Sequence, residues 1–306
     1  MKLTTALDSI TIDPIISFSS QTIKSSILRL DKLHPIVSGN KWFKLRYYID
    51  EAIEQKASTI VSFGGPYSNH LVALAYAAKE NNLKSIGYVR ASKEDHLTPS
   101  LQEALSYGMQ LEFIGRTNFQ AIKNDLLKTN QHKSVNEDST YFIDEGGYGL
   151  MGAKGAATIL NTKSKDCQTK DYTTIIAAVG TGTMLAGIIN AAEAHQQVIG
   201  IPILKNEASI ETEIKSMLIN KEAPFTLLHS YHLGGYAKTS PALFTFMNQL
   251  WQTEKIPTDI VYTGKLLYAV ESLLKENYFK KGSKILVIHS RGLQGNRSLP
   301  AGTLLY

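Results

Sequence analysis

"STIVSFGGPYSNHLVALAYAAKENN", residues 58–82, joins a strand pattern to a helical pattern through a glycine-containing turn. The first six residues are mostly apolar or β-branched, as expected of a strand buried on both faces. After the turn, apolar residues recur at the spacing of a helix with one buried side. The next apolar run, residues 84–89, predicts a second strand. A strand, a helix and a second strand in this order are typical of a parallel sheet.

The same alternation continues along the chain. Further strand patterns cover residues 110–115, 139–144, 172–179, 197–204, 259–263 and 284–290. Helical patterns cover residues 99–108, 119–130, 184–196 and 264–279. A polar stretch, residues 161–171, separates these units into two groups and is typical of a linker. We therefore predict an α/β protein with two three-layer α/β domains and mostly parallel sheets.

Composition excludes several classes of protein. The chain has 306 residues with a formal net charge of +5, and its densest basic cluster is "YFKKGSK" at 278–284. Because no basic stripe alternates with aromatic residues, we expect no nucleic-acid partner. Cys167 is the one cysteine, so no internal disulfide can form. No apolar run has the length of a membrane span and the first residues lack a signal pattern, so we expect a cytoplasmic protein without a membrane partner.

Lys41 follows a turn of small residues, "SGN" at 38–40, and stands at the head of a helical pattern. A lysine in such a turn suggests an amine that meets a ligand. A second turn, "VGTGTMLAG" at 179–187, places Gly180 and Gly182 before a helix. The free N–H groups of that helix could bind a phosphate or a carboxylate, although a tight connection would have the same sequence. The spacing fits neither a nucleoside-triphosphate loop nor a dinucleotide fingerprint.

Ser68 and Asn69 stand at the start of the helical pattern that follows "GGP". Ser68 could simply cap the helix. Alternatively, a hydroxyl and an amide at this position could bind a carboxylate or a ring hydroxyl. A lysine in a turn, an anion site without a nucleotide signature and these polar groups together suggest pyridoxal phosphate, which needs an amine, a phosphate site and ring contacts.

Seven motifs now support a resemblance to a known family. They are "SGNKWFKL" (38–45), "SFGGPYSNH" (62–70), "DEGGYGLMG" (144–152), "VGTGTMLAG" (179–187), "GGYAKTSP" (234–241), "VYTGK" (261–265) and "IHSRGLQG" (288–295). With these motifs in this order, the chain resembles the 1-aminocyclopropane-1-carboxylate deaminases and D-cysteine desulfhydrases. The resemblance extends from about residue 35 to about residue 295. The resemblance implies a tryptophan-synthase-β-like fold and a homodimer. It also implies a larger pyridoxal-phosphate-binding domain, residues 1–49 with 161–306, and a smaller α/β domain, residues 50–160.

The resemblance also assigns a role to each residue of the expected site. Lys41 matches the lysine that binds the cofactor covalently and moves the α-proton, and Ser68 matches a catalytic hydroxyl. Cofactor contacts are implied for Lys44 at the phosphate, for Asn69 at the ring oxygen, and for the phosphate-binding backbone of Thr181, Gly182, Thr183 and Met184. Tyr236 and Tyr262 match two tyrosines that flank the substrate. Thr263 matches the residue that faces the pyridine nitrogen.

Thr263 bears on the choice of substrate. The deaminases usually carry glutamate at this position, whereas the desulfhydrases resemble this chain. A neutral hydroxyl makes the ring a weaker electron sink, which suits elimination of a good leaving group. We therefore predict a lyase or C–N hydrolase acting on a small amino acid, either D-cysteine or 1-aminocyclopropane-1-carboxylate. The alternatives are a relative with another amino-acid substrate and a non-catalytic metabolite-binding protein.

The chain departs from the family pattern at two positions and carries four histidines that could suggest a metal site. Ser38 and Arg291 stand where the family usually has glycine, and Arg291 could either enter the site or point to solvent. Of the histidines 70, 229, 232 and 289, His229 and His232 have a spacing that metal ligands on a helix can use. No acidic residue or cysteine joins them at ligand spacing, and the following "LGGY" indicates a loop. We therefore expect no metal.

Overall fold

The computed structural model describes residues 7–92, 97–130, 139–163, 167–205, 209–290 and 292–306. The chain forms two compact units. Lys41–Gly155 belongs to the smaller unit, and Ala6–Asn40 with Ala156–Tyr306 belongs to the larger unit. The helix that follows residue 40 thus clusters with the smaller unit, whereas the predicted division placed residues 41–49 with the larger domain.

The described residues form ten strands and nine helices. The strands are β1 (Ile12–Pro14), β2 (Lys24–Arg29), β3 (Thr59–Gly64), β4 (Lys84–Arg90), β5 (Met109–Ile114), β6 (Thr140–Phe142), β7 (Thr174–Val179), β8 (Gln197–Pro202), β9 (Thr226–Leu227) and β10 (Lys284–His289). The helices are α1 (Asn40–Glu54), α2 (Asn69–Glu80), α3 (Pro99–Ser106), α4 (Phe119–Asn130), α5 (Leu150–Ala157), α6 (Thr183–Ala191), α7 (Ile210–Ser216), α8 (Pro241–Glu254) and α9 (Thr263–Lys275).

The smaller unit contains a four-stranded sheet in the order β5-β4-β3-β6. All three pairings are parallel, and Val61 of β3 lies opposite both Ile86 of β4 and Phe142 of β6. Helix α2 follows β3 and packs against β3 and β4. Its apolar residues are buried from Leu71 to Ala75 and again at Ala77 and Ala78. The predicted strand–helix–strand unit is therefore confirmed.

The larger unit contains a six-stranded sheet in the order β1-β2-β10-β7-β8-β9. Only β1 runs antiparallel to its neighbour β2, and the other four pairings are parallel. Every residue of β7 is buried, as expected of a strand covered on both faces. Apolar residues of β7, β8 and β10 share one core with α8 and α9. The predicted α/β class with mostly parallel sheets is confirmed.

The strand predicted at residues 259–263 is wrong. The carboxylate of Asp259 accepts hydrogen bonds from the backbone N–H groups of Val261, Tyr262 and Thr263. These bonds turn the chain into α9, which begins at Thr263. The β-branched run "DIVYT" therefore carries strand propensity, but capping by its own aspartate overrides that propensity.

No helix in the described parts of the chain is long and apolar enough to cross a membrane.

In both units a glycine-containing turn follows a central strand and leads into a helix. In the smaller unit this turn lies between β3 and α2, and in the larger unit it lies between β7 and α6. The carboxyl ends of parallel strands are where α/β proteins place their ligands.

Gly155 tests how tightly α5 packs against α1. A Cβ at Gly155 would lie 2.0 Å from the carbonyl oxygen of Phe43, so the backbone must move to accept it. We expect Gly155→Ala to lower the free energy of unfolding by about 1–3 kcal/mol, as overpacking does. Denaturant titration measures this change. Gly115→Ala is the control, because a Cβ there has no heavy atom within 4 Å; equal losses in the two variants would contradict the packing argument.

Candidate active site

The head of α1 carries Lys41. Gly39 has a φ of +62°, a conformation that favours glycine, and its N–H donates to the carbonyl of Leu30. The N–H of Asn40 donates to the carbonyl of Ser290 over 2.9 Å. Within the smaller unit, the half-buried amine of Lys41 lies 3.4 Å from the carbonyl oxygen of Gly146.

Lys44 and His70 lie beside the turn at residues 145–147. Lys44 is only 2% exposed. A Cβ at Gly147 would lie 3.4 Å from Cε of Lys44 and 3.6 Å from Cε1 of His70. Gly147 has a φ of +68°, so this turn requires glycine for its backbone as well as for close packing. The starts of α1 and α2 therefore meet at this turn.

One ring nitrogen of His70 has no hydrogen-bond partner among the residues that the structure describes. The hydroxyl of Ser62 donates to the carbonyl of Ile143 over 2.7 Å, so it can only accept from Nε2 of His70, which lies 2.8 Å away. Nδ1 is therefore the unprotonated nitrogen, and it is buried without a hydrogen-bond partner among the described residues. Burial, followed by the charges of Lys41 and Lys44, holds the pKa of His70 well below its ordinary value near 6.5.

Ser68 caps α2, as one of the two sequence interpretations expected. Its Oγ accepts a hydrogen bond from the N–H of Leu71 over 3.3 Å. This bond uses the oxygen as an acceptor, so capping is compatible with donation of the hydroxyl hydrogen to a ligand. A Cβ at Gly64 would lie 2.5 Å from that Oγ, so glycine is required where β3 ends. Asn69, the first residue of α2, is 8% exposed.

The turn between β7 and α6 has the features of an anion site. Gly182 is the N-cap of α6 with a φ of +76°, and the described residues show no side-chain hydrogen bond that caps this helix. The first N–H groups of a helix have no acceptor within the helix, so those of Thr183 and Met184 can bind a ligand. A Cβ at Gly182 would lie 2.8 Å from Cγ1 of Ile214. The hydroxyl oxygens of Thr181 and Thr183 lie 3.1 Å apart.

Tyr236 and Tyr262 form an aromatic pair in the larger unit. Their ring centroids are 6.4 Å apart and the planes meet at 82°. A Cβ at Gly180 would lie 3.1 Å from the hydroxyl oxygen of Tyr262. The two predicted tyrosines therefore stand together beside the start of the anion-binding turn.

Thr263 is fully buried and bonded to Asp259. Its hydroxyl donates to Oδ1 of Asp259 over 2.7 Å and accepts from the N–H of Asp259 over 2.7 Å. Thr263 therefore presents a neutral oxygen with one remaining lone pair. Asp259 was not among the predicted site residues, although an aspartate shortly before a helix is a recognised capping signal.

The side chain of Ser38 has room because residue 292, which lies beside it, is glycine. A Cβ at Gly292 would lie 2.5 Å from Oγ of Ser38. A larger residue at 292 would therefore displace this serine. Arg291, the second departure from the family pattern, lies outside the described residues.

The described residues include no group of three or more histidine, cysteine or acidic side chains that could hold a metal ion. His232, which the spacing singled out, accepts at Nδ1 from the N–H of Gly234 over 3.0 Å. It is therefore part of the loop before Tyr236. His289 donates from Nε2 to the carbonyl of Pro257 over 2.7 Å.

The residues present fit pyridoxal phosphate. In the smaller unit, Lys44 and His70 pack against the turn at Gly147, and the amine of Lys41 lies beside the neighbouring Gly146. Ser68 and Asn69 stand at the start of α2, the helix that carries His70. In the larger unit, an uncapped helix supplies N–H donors for a phosphate. The sequence prediction did not include His70 among the site residues, because only the fold shows which of its nitrogens is left unpaired.

Known proteins resemble this chain over most of its length. The pyridoxal-phosphate dependent enzyme family matches residues 14–291. A 1-aminocyclopropane-1-carboxylate deaminase of Bradyrhizobium sp. (strain BTAi1) is 27% identical and covers 84% of this chain and 82% of its own. The mitochondrial bifunctional D-cysteine desulfhydrase/1-aminocyclopropane-1-carboxylate deaminase of Arabidopsis thaliana is 27% identical, with 85% and 70% covered.

Among solved structures, one described as an ACC deaminase homologue superposes with a TM-score of 0.78. It is 23% identical, and the match covers 94% of this chain and 90% of that chain. This likeness confirms the expected tryptophan-synthase-β-like fold.

His70 gives a pH prediction. Below pH 6.5 an unfolded histidine binds a proton that the folded state excludes, so stability present above that pH is lost as the pH falls. We expect the free energy of unfolding of the wild type to fall more steeply than that of His70→Gln, by up to about 1.4 kcal/mol per pH unit. Denaturant titrations at pH 7, 6 and 5 measure both slopes. Parallel slopes would show that His70 is not held neutral.

Proposed function

Because this chain belongs to the pyridoxal-phosphate-dependent enzyme family, we propose that it deaminates a small amino acid, with D-cysteine as the first candidate substrate. Pyridoxal phosphate is its cofactor, as the sequence predicted. D-cysteine and water would give pyruvate, ammonia and hydrogen sulfide. The second candidate, 1-aminocyclopropane-1-carboxylate, would give 2-oxobutanoate and ammonia with one water. The names of the Arabidopsis and Bradyrhizobium relatives support both candidates.

One observation favours D-cysteine. The residue expected at the pyridine nitrogen is Thr263, whose hydroxyl is neutral and hydrogen-bonded to Asp259. Bound pyridoxal phosphate supplies an electron sink for negative charge at the substrate α-carbon. Without a carboxylate directly at the nitrogen the sink is weaker. A thiolate leaving from the β-carbon removes that charge directly, whereas opening a cyclopropane ring has no such leaving group.

Residues of the expected motifs are proposed to bind the cofactor. The amine of Lys41 is the covalent attachment point, and Lys44 neutralises the phosphate. The N–H groups that open α6, from Thr181 to Met184, donate to the phosphate oxygens. Asn69 is proposed to hydrogen-bond the ring oxygen. The larger domain, residues 1–49 with 161–306, is proposed as the main cofactor-binding domain.

Four side chains are proposed to act on the substrate. The hydroxyl of Ser68 donates to the substrate carboxylate while its oxygen caps α2. Nζ of Lys41 takes the proton from the α-carbon. The rings of Tyr236 and Tyr262 flank the substrate, and their hydroxyls can hold or return a proton. We also propose that the protein is cytoplasmic and forms a homodimer. Light scattering of the purified protein tests the homodimer.

Absorbance and product assays test the reaction. The purified protein is expected to show the visible band of lysine-bound pyridoxal phosphate and to form pyruvate and sulfide from D-cysteine. L-cysteine, D-serine and 1-aminocyclopropane-1-carboxylate are tested separately. Formation of 2-oxobutanoate would move the assignment to the second candidate. A band without turnover of any of the four would leave a relative with another substrate or a non-catalytic binding protein.

Lys41→Ala tests the attachment point. Because the methyl group cannot bond to the cofactor, the lysine-bound absorbance band should disappear and turnover should fall by at least about a thousandfold, as expected for loss of a nucleophile and base. The circular dichroism spectrum checks that the fold is kept. A variant that keeps the band would refute the role of Lys41.

A glycine pair tests Ser68 without changing Ser68 itself. A Cβ at Gly64 would lie 2.5 Å from Oγ of Ser68, whereas a Cβ at Gly65 meets only Nη2 of Arg90 at 3.8 Å. We expect Gly64→Ala to lower kcat/KM for D-cysteine by at least about tenfold, because a displaced hydroxyl loses its transition-state contact. Gly65→Ala should retain activity. If both variants have wild-type kcat/KM, Ser68 has no role in turnover.

A further inference from the structure

The backbone before and around Tyr236 has positive φ values, which are unfavourable for residues with side chains. Leu233 and Ala237 have φ values of +48° and +53°, although both carry side chains. Gly234 and Gly235 between them have φ values of +90° and +107°. Non-glycine residues persist in this conformation only where surrounding contacts hold them. We call residues 232–238 the tyrosine loop, because Tyr236 stands within it.

A buried lysine supplies such contacts. Lys265 lies in the first turn of α9 and is 0% exposed. Its amine donates to the carbonyl of His232 over 2.9 Å and to the carbonyl of Gly235 over 2.5 Å. Among the described residues it forms no ion pair. Burying an ammonium is costly unless hydrogen bonds compensate. The two carbonyls supply that compensation for Lys265.

The contacts continue from the tyrosine loop to the anion-binding turn. Gly235, which Lys265 bonds, immediately precedes Tyr236. The ring of Tyr236 packs edge-on against Tyr262 at 6.4 Å, and Tyr262 packs against Gly180. Tyr236 is 46% exposed, so nearly half of its surface has no protein packed against it. Its position therefore depends on how firmly the loop backbone is held.

We propose that Lys265 is a positioning residue that clamps the tyrosine loop and so holds Tyr236 against Tyr262 for turnover. This inference rests on the proposed role of Tyr236 as a substrate-flanking residue. It assigns no contact of Lys265 with substrate. The lysine acts through the two carbonyls, which fix the backbone on either side of the turn at Leu233 and Gly234.

The charge of Lys265 agrees with such a clamp. Burial lowers the pKa of Lys265 to about 8, and the carboxylate of Asp259 opposes this shift. Near neutral pH the amine therefore carries its proton, and charged donors make the stronger hydrogen bonds. A lysine that served only to fill space would be replaced by an apolar side chain of similar length without loss of loop order.

Hydrogen exchange of the pyridoxal-phosphate-loaded protein tests the clamp directly. The loop amides of Gly235 and Lys238 donate to His232 and Gly235, so their exchange reports loop order. Lys265→Met keeps the length of the side chain and removes the amine. We expect peptides covering residues 230–240 to exchange at least about tenfold faster, while peptides from β7 and β10 keep wild-type rates. Lys275→Met on the exposed side of α9 is the matched control, since its surface ion pair with Glu271 contributes little.

A double-mutant cycle tests whether the clamp acts through Tyr236. If it does, Lys265→Met lowers kcat by at least about tenfold in the wild type and has little further effect in Tyr236→Ala, which lacks both the ring and the hydroxyl that the clamp would hold. A lysine with a purely structural role would lower kcat by the same factor in both backgrounds. Lys275→Met should leave kcat unchanged in both.

Each outcome decides the proposal. Faster loop exchange with non-additive kinetics supports it, and unchanged loop exchange or additive kinetics overturns it. If Lys265→Met does not fold, Lys265→Gln, which keeps an N–H donor on a shorter side chain, undergoes the same two measurements. Exchange requires no substrate, so a wild type without turnover refutes the proposed function, while the exchange rates still decide whether Lys265 holds the loop.

Discussion

The buried carboxylate of Asp259 fixes the point at which α9 begins, and the placement of Tyr262, Thr263 and Lys265 in the larger unit depends on it. It accepts the backbone N–H groups of three successive residues and the hydroxyl of Thr263. Once α9 starts there, Tyr262 is directed to Gly180 and Lys265 to the loop that carries Tyr236. A typical buried hydrogen bond contributes about 1 kcal/mol, but an unpaired buried carboxylate would cost much more. The full set of bonds therefore specifies one geometry.

In the smaller unit the neutral imidazole of His70 has a comparable role, because its hydrogen bonds also specify one geometry. The chain from His70 through Ser62 to Ile143 fixes which imidazole nitrogen carries the proton. Glycine at 147 lets that imidazole and Lys44 approach the same turn. Packing and proton placement are thus joined, because the close approach that buries His70 also keeps it neutral beside two lysines. The unpaired nitrogen remains as an acceptor at the place where the proposed reactive amine lies.

The sequence predicted what short-range chemistry controls. The cap at Ser68, the helix that follows it and the glycine before α6 were visible, because capping and turn residues act within a few positions. The strand predicted at 259–263 was wrong although its cause is also local. The apolar run resembles a strand, but the carboxylate of Asp259 accepts from N–H groups two to four residues further on and decides the conformation. Strand β2 was missed, since "KSSILR" shows a strand pattern only in part and is stabilised by pairing with β1 and β10.

By itself the sequence determined the α/β class, the lysine in its turn, the uncapped helix start and, through the motif order, the cofactor. Tertiary structure alone decided which polar atoms remain unpaired and which buried charge supports which loop. Lys265 is 33 and 30 residues away from the two carbonyls it bonds, and Ser62 bonds a carbonyl 81 residues away. Local spacing carries no record of such pairs, because any buried donor must find an acceptor but the fold decides which one is within reach.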